Sequence, residues 1–348
     1  MVQYAFLVLP SHNRVYADAA PALARAELAV LGAALPDGAI DADSVAETVM
    51  GGAPYVTFDA GELSERDVAL LANLSSLYAL FEVTGELLRP VPLRRLDRFD
   101  DDLLTILKYQ GKTNEQFTKL LLNVTLAASA FAGDMMTRKL AVLDPLCGRG
   151  TTLNQALMYG YDAAGIDADR ADFDAYGTFI KTWLQRKRVK HKVSYDGPVR
   201  RDGKVAGRRL QASLAAVPAD YKAGRTQQLD VVCADTARAG EFFRPASFDV
   251  LVTDAPYGVQ HGSRTAAAGL ARRPQELLAA AVPGWARLLR PGGALGIAWN
   301  VHVAPRAEAA AILASAGLEP VETGPYLQFR HRVDQAILRD ILVARLPG

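Results

Sequence analysis

The sequence predicts an α/β protein in which a doubly wound, mostly parallel sheet follows a smaller α+β unit, and three observations carry that expectation. First, Ala141-Val142-Leu143 is a short apolar run, Gly148 and Gly150 interrupt it, and residues 151–158 resume with helical spacing, so the stretch reads as strand, glycine loop, helix. Second, short apolar runs recur at 162–166, 229–233, 248–253 and 294–300, and each leaves into polar or glycine-bearing residues. Third, helical patterns at 274–289 and 305–316 separate the later runs, which is the alternation of a parallel sheet.

The first 95 residues read differently. Residues 4–9 form a buried-strand pattern, and 19–31 has helical spacing with Arg25 and Glu27 on its polar side. Residues 54–58 read as a strand, 64–74 as a helix capped by Ser64, and 77–83 with 87–90 as a hairpin. Two prolines and several charges in 89–95 mark a linker, so the expected division is a small unit at 1–95, for packing or for positioning a substrate, and a second domain at 96–348. Within 108–118 the Gly111-Lys112-Thr113 tripeptide suggests a phosphate loop, but that loop needs a glycine at position 106, where Ile106 stands. A polar loop followed by a helix over 114–130 remains, either beside the glycine loop or simply as a capped amphipathic helix.

The chain has 348 residues, half of them apolar, enough to bury a large core. A net charge of +1 excludes a chain basic throughout, yet between positions 181 and 225 thirteen basic residues face three acidic ones. The rest of the chain is therefore acidic on balance, and this local basic arm, with Trp183, Tyr195 and Tyr221 among its charges, suits a polyanion or is a solvated insertion. Cys147 and Cys233 are too few for a disulfide scaffold and suggest no metal site. With no apolar run of about 20 residues and no secretory leader pattern, the expectation is a cytoplasmic protein without membrane contact.

Two closing strands are expected at 326–330 and 335–344. The chemistry collects where the earlier strands end. Glycines at 148 and 150 let the backbone approach a ligand, and the helix start at Thr151 offers unpaired N–H groups. Asp167 follows Gly148 by nineteen residues, close to the offset at which an acidic side chain meets ribose hydroxyls in βαβ nucleotide sites; either Asp167 or Asp169 also fits as a helix cap.

In this order on successive strands, Asp144-Pro145-Leu146-Cys147-Gly148-Arg149-Gly150-Thr151, Gly165-Ile166-Asp167, Ala234-Asp235 and Asp254-Ala255-Pro256-Tyr257-Gly258 resemble the motifs of S-adenosylmethionine-dependent amino-methyltransferases of nucleic acids. The chain is most similar to the tRNA guanine-N2 methyltransferases and their bacterial relatives, over roughly residues 105–345. The resemblance implies a Rossmann-like class I methyltransferase fold: a seven-stranded doubly wound sheet with its last strand antiparallel. It implies S-adenosylmethionine as cofactor, bound by Phe117, Thr118, Asp144, Leu146, Gly148, Gly150, Thr151, Asp167, Ala168, Asp235, Thr236 and Asp254. Among these, Asp144 and the glycine loop would line the methionine part, Asp167 would meet the ribose hydroxyls, Asp235 would lie near the adenine amine, and Phe117 and Thr118 would belong to the segment lying over the methionine end.

The same resemblance makes Asp254, Ala255, Pro256 and Tyr257 catalytic. An exocyclic base amine is a poor nucleophile because its lone pair is delocalised, so acceptors must meet its N–H bonds. Asp254 supplies a carboxylate, the Ala255 carbonyl a second acceptor, and Tyr257 a ring to stack on the base. The family has proline where this chain has Ala255. The expected substrate is guanine N2 of tRNA, held through 181–225; a DNA adenine or cytosine amino-methyltransferase and a non-catalytic cofactor-binding interaction protein are the alternatives.

Overall fold

The computed structural model describes residues 1–11, 13–33, 40–105, 112–255 and 274–348. The chain opens with β1 (Val2–Val8), α1 (Arg14–Gly32), β2 (Ala46–Met50), β3 (Ala53–Ala60), α2 (Glu65–Leu71), β4 (Leu77–Thr84) and β5 (Leu87–Val91). These strands form one antiparallel sheet in the order β2-β3-β1-β4-β5. Asn13 caps α1 through Tyr16 N–H, and Ser64 with Asp67 makes a reciprocal capping box on α2. Two expectations change here. The stretch read as a linker begins inside β5, where Pro90 sits on an edge strand that does not need its missing N–H. Glu27 is not on a polar face: it is fully buried, where α1 packs on the rest of the chain.

The second part runs α3 (Asp102–Thr105), α4 (Glu115–Ala128), β6 (Ala141–Asp144), α5 (Thr151–Met158), β7 (Asp162–Asp167), α6 (Arg170–Arg186), β8 (Lys190–Arg201), β9 (Lys204–Ala215), α7 (Pro218–Lys222), β10 (Gln227–Cys233) and β11 (Phe248–Asp254). It continues with α8 (Pro274–Ala286), β12 (Leu289–Asn300), α9 (Arg306–Ser315), β13 (Glu319–Pro320), β14 (His331–Arg332) and β15 (Leu338–Arg345). The sheet order is β8-β9-β10-β7-β6-β11-β12-β15-β13, with β14 paired to β15. Strands β10, β7, β6, β11 and β12 are parallel, and β15 enters antiparallel between β12 and β13. Successive strands run outward from β6 on one side and from β11 on the other, so the order reverses between them, where ligands collect at the carboxyl ends.

Among the described residues, six of the seven expected strands thus form the core of a ten-stranded sheet. Two of the additional strands come from the basic stretch. Residues 181–186 still belong to α6, and 190–215 fold as a hairpin whose second strand pairs antiparallel with β10. The strand expected at 326–330 is instead a tight turn at Gly324–Leu327 followed by the two-residue β14. The turn expected at Arg290–Gly293 lies inside β12 as a bulge, with Gly292 at φ +78°.

At the junction of the two sheets the Glu27 carboxylate accepts from Ser75 N–H (2.9 Å), the Ser75 hydroxyl (2.5 Å) and Asn123 Nδ2 (2.7 Å). The Tyr159 hydroxyl donates to Asn123 Oδ1 at 2.9 Å. Burial pushes the Glu27 carboxyl above its usual range, so the cluster acts as a hydrogen-bonded joint inside one continuous apolar core.

Candidate active site

The site is built on the turn after β6. Asp144 ends that strand, is 3 % exposed, and accepts from Leu146 N–H at 3.0 Å. Burial, with the charge of Asp167 adding to it, pushes its carboxyl up to about 7. Gly148 and Gly150 take φ of +46° and +80°, the left-handed region that favours glycine. The two serve different ends. A Cβ on Gly150 would collide with the Tyr176 ring, so this glycine seats the loop on α6; a Cβ on Gly148 would meet nothing within 4 Å, so the space above it is open.

Asp167, at the end of β7, holds the loop in that shape. Its Oδ2 accepts Gly148 N–H at 2.8 Å and its Oδ1 accepts Asp169 N–H at 2.8 Å. Burial raises its pKa, while the two backbone donors favour the charged form. Each oxygen retains a lone pair for a further donor. Asp169 caps α6 through the N–H groups of Ala171 and Asp172, so of the two candidate caps it is Asp169 that takes the role. Cys233 of β10 lies beside Asp167 in register, Ala234 N–H donates to Asp167 O at 2.9 Å, and Asp235 follows, exposed. Gly148, Asp167 and Asp235 therefore meet at one sheet edge. Leu146 and Thr151 are partly exposed on the same loop, and Ala168 is exposed next to Asp167.

Three expected cofactor residues turn out to be internal. Thr236 is 4 % exposed; its hydroxyl donates to Pro145 O at 2.6 Å and accepts from Trp285 Nε1 at 3.1 Å, which ties the glycine loop to α8. Thr118 donates to Asn114 O within α4, and Phe117 is fully buried with the Arg339 guanidinium 4.2 Å above its ring. The sequence placed these residues in the right neighbourhood, but their side chains face inward.

Asp254 ends β11, on the other side of the reversal. Its Oδ2 accepts from the Thr113 hydroxyl at 2.6 Å and lies 3.4 Å from Arg339 Nη2. Thr113 is the threonine of the rejected phosphate-loop tripeptide, and Lys112 is spent on Leu104 O (2.6 Å) and Glu115. Arg339 stands on β15 opposite Asn300 and His331, and is 5 % exposed. His331 packs its ring against Phe117; burial pushes its imidazole down to about 4, so it is neutral beside the Asp254–Arg339 pair. The segment that follows β1 also reaches this place: Asn114 donates to Ser11 Oγ at 3.1 Å and Gln116 to Leu9 O at 3.1 Å. Ala255 is buried, its N–H on Ala298 O at 2.8 Å, whereas Pro256 and Tyr257 lie outside the described residues, as do Lys108 to Gly111. Thr113, Arg339 and His331 were missed in the sequence because no local pattern links positions so far apart.

A family model, UPF0020, described as an RMKL-like methyltransferase domain, matches residues 115–292, just over half of the chain. Among curated proteins, the ribosomal RNA large subunit methyltransferase K/L of Photobacterium profundum is 30 % identical over 126 residues. That alignment covers 35 % of this chain and only 18 % of the relative. Among solved structures, a putative RNA methyltransferase from Pyrococcus horikoshii aligns with a TM-score of 0.37 and 13 % identity, covering 72 % of this chain and 91 % of that one. The 1,6-didemethyltoxoflavin-N1-methyltransferase of Burkholderia thailandensis, solved with S-adenosylhomocysteine bound, aligns with a TM-score of 0.34 and 17 % identity, covering 64 % and 77 %. At such scores the fold rests on the strand order of the chain itself.

Proposed function

The chain belongs to the RMKL-like methyltransferase domain family and is an S-adenosylmethionine-dependent methyltransferase; from that premise we propose that it methylates an exocyclic amine of an RNA base, with ribosomal RNA placed before tRNA as the substrate. The observation that carries this reading is the position of Asp254, a carboxylate held at the end of β11 beside the reversal of strand order.

The residues present fit the cofactor. The edge presents Asp144, Asp167 and Asp235, three carboxylates that accept from hydroxyl, amino or ammonium groups and would repel a phosphate. The open space above Gly148 admits a ligand against the backbone. Asp167 would receive the ribose hydroxyls, Asp235 the adenine amine and Asp144 the ammonium of the methionine part. When bound, the cofactor supplies a methyl group activated by a positive sulfur.

The rest is the work of the chain. Asp254 accepts an N–H bond of the target amine, returns electron density to the nitrogen, and takes the proton released on transfer. Thr113 and Arg339 fix the rotamer of that carboxylate, and the Ala255 carbonyl is the second acceptor. From the family resemblance, Tyr257 stacks on the base. The order of RNA classes follows the relative named for ribosomal RNA, so guanine N2 of tRNA, the first expectation, becomes the second candidate. The hairpin of β8 and β9 carries most of the basic stretch and is the proposed RNA contact.

Incubation with S-adenosylmethionine labelled with tritium in its methyl group, and with separated large ribosomal RNA, tRNA and DNA, tests this. Label is expected in the large ribosomal RNA. Label in tRNA alone would restore the first expectation, and label in DNA alone would overturn the RNA reading.

A further inference from the structure

The structure sorts the thirteen basic residues of 181–225 into two groups. Lys187 pairs with Asp100 and Asp102, Arg208 with Asp196, Arg209 with Asp230, and Arg225 with Asp220, so four are spent on holding the fold. The other nine have no acidic partner among the described residues. Lys190 and Lys192 lie together on a flat face at the start of β8.

That face follows from the register. Lys192 stands opposite Ser213 and Ser194 opposite Gln211 across β8 and β9, while Ser213 and Gln211 stand opposite Gln228 and Asp230 across β9 and β10. Residues opposite one another in an antiparallel pair share a face. Alternate residues of β9, Leu210, Ala212 and Leu214, are buried against the core, so the other side carries Lys190, Lys192, Ser194, Gln211, Ser213 and Gln228. Five of these six are exposed and Ser213 is partly so. Asp230 on the same side is neutralised by a two-pronged pair with Arg209 (2.7 and 2.5 Å).

We propose, resting on the RNA reading above, that this open three-stranded face docks the backbone of an RNA double helix beside the methylated site. Two lysines supply phosphate contacts, and the row of serine hydroxyls and glutamine amides supplies neutral partners for the 2′-hydroxyls, which distinguish an RNA duplex from DNA. Among the described residues the face carries no aromatic side chain. Tyr195, the exposed ring of β8, is stacked on Phe173 with its hydroxyl on Asp174 Oδ1 at 2.5 Å, on the α6 side. Single-stranded bases are held by stacking, and this surface offers none. Lysines on an edge strand also discourage association of sheets, but that role does not need the polar rows of β9 and β10. The Gln228 row is five residues from Cys233 at the carboxyl edge, about 17 Å along the strand, so a helix held here would flank the base at Asp254.

The test is fluorescence anisotropy of the full chain with an RNA duplex of about 16 base pairs, with a single strand of equal length, and with the corresponding DNA duplex. The wild type should bind the RNA duplex at least tenfold more tightly than the other two. The K190S/K192S double variant should lose roughly tenfold in duplex affinity, and its salt slope should fall by about 2. A K181S/R186S control, equal in charge but on α6, behind the face, should lose less. Single-strand or DNA binding as tight as that of the RNA duplex would overturn the proposal, as would K190S/K192S behaving like the control. Methyl transfer to RNA by the wild type is measured in parallel. Transfer that persists while the face variants bind normally sinks only the docking surface; no transfer to any RNA sinks the functional reading on which it rests.

Discussion

The two halves of the site are made in different ways. The half after β6 and β7 is held mainly by neighbours close in sequence, with Thr236 adding a distant tie at Pro145 O: Asp167 reaches back nineteen residues to Gly148 and forward two to Asp169, and Gly150 takes its left-handed turn over Tyr176. The half after β11 depends on partners from elsewhere. Thr113 comes from before α4, Arg339 from the last strand, and the start of α4 next to Thr113 is held by Leu9 and Ser11, in the segment that follows β1. A site of the first kind rests mainly on one strand-turn-helix unit and the strands beside it, whereas a site of the second kind exists only once the whole chain has folded. The two halves should therefore fail separately.

The largest separation is expected from Asp254→Ala. Losing an acceptor that also takes a proton should slow single-turnover methyl transfer roughly a hundredfold or more, with calorimetric affinity for S-adenosylhomocysteine within about twofold of wild type. Equal losses in both measurements would show that the halves are not independent. Asp167→Ala is the converse. Removal of a charge-assisted acceptor should weaken the cofactor by about 1.5 to 3 kcal/mol, roughly tenfold to a hundredfold, and transfer at saturating cofactor should be largely restored. Unchanged affinity in this variant would remove Asp167 from the ribose site.

A smaller effect distinguishes the halves by pH. With the Asp144 carboxyl pushed up to about 7 in the folded protein, the native chain binds a proton here that the unfolded chain has already released. Stability contributed at this group is present below the unfolded value of 3.8 and is lost as pH rises from there towards 7. Cofactor affinity should run the opposite way, because only the ionised group attracts an ammonium: it should rise several-fold between about pH 6 and 8 and level off above. Asp144→Asn should flatten both curves, read by thermal melts and by calorimetry at the same pH values.

What the sequence disclosed follows the same division. The glycine loop and the acidic residue after β7 could be read because each is a local pattern with a local conformational cause. Arg339 could not, since its pairing with Asp254 requires the register of β15 on β12. The inward turn of the Thr236 hydroxyl could not be read either, since it depends on Trp285 packing against the loop from α8. The β8–β9 hairpin does carry one local signal. Asp202-Gly203, at φ +48° and +78°, is an Asp-Gly pair with both residues left-handed, the strongest short-range mark of a two-residue hairpin turn. Its strands were obscured because lysines and arginines occupy both faces, some exposed and some paired with Asp196 and Asp230. Glu27 was misread for a related reason: a helical pattern shows which positions share a face, but not whether a second sheet covers that face.

Thr113→Val should produce the smallest effect and test the contrast most directly. The substitution keeps the branched shape and removes one hydroxyl, the donor 2.6 Å from Asp254 Oδ2. A single hydrogen bond of this kind contributes about 0.5 to 1.5 kcal/mol net, so a loss of the Asp254 rotamer should slow transfer by roughly twofold to tenfold. Arg339 still faces the same carboxylate, so the variant should fold and should bind cofactor as the wild type does. Combining the change with Asp254→Ala identifies the path of the effect. If Thr113 acts only by orienting the carboxylate, the double variant should be no slower than Asp254→Ala alone, because coupled residues are not additive. A further slowing in the double variant would mean that Thr113 touches the target itself, and the second half of the site would then extend to the loop before α4.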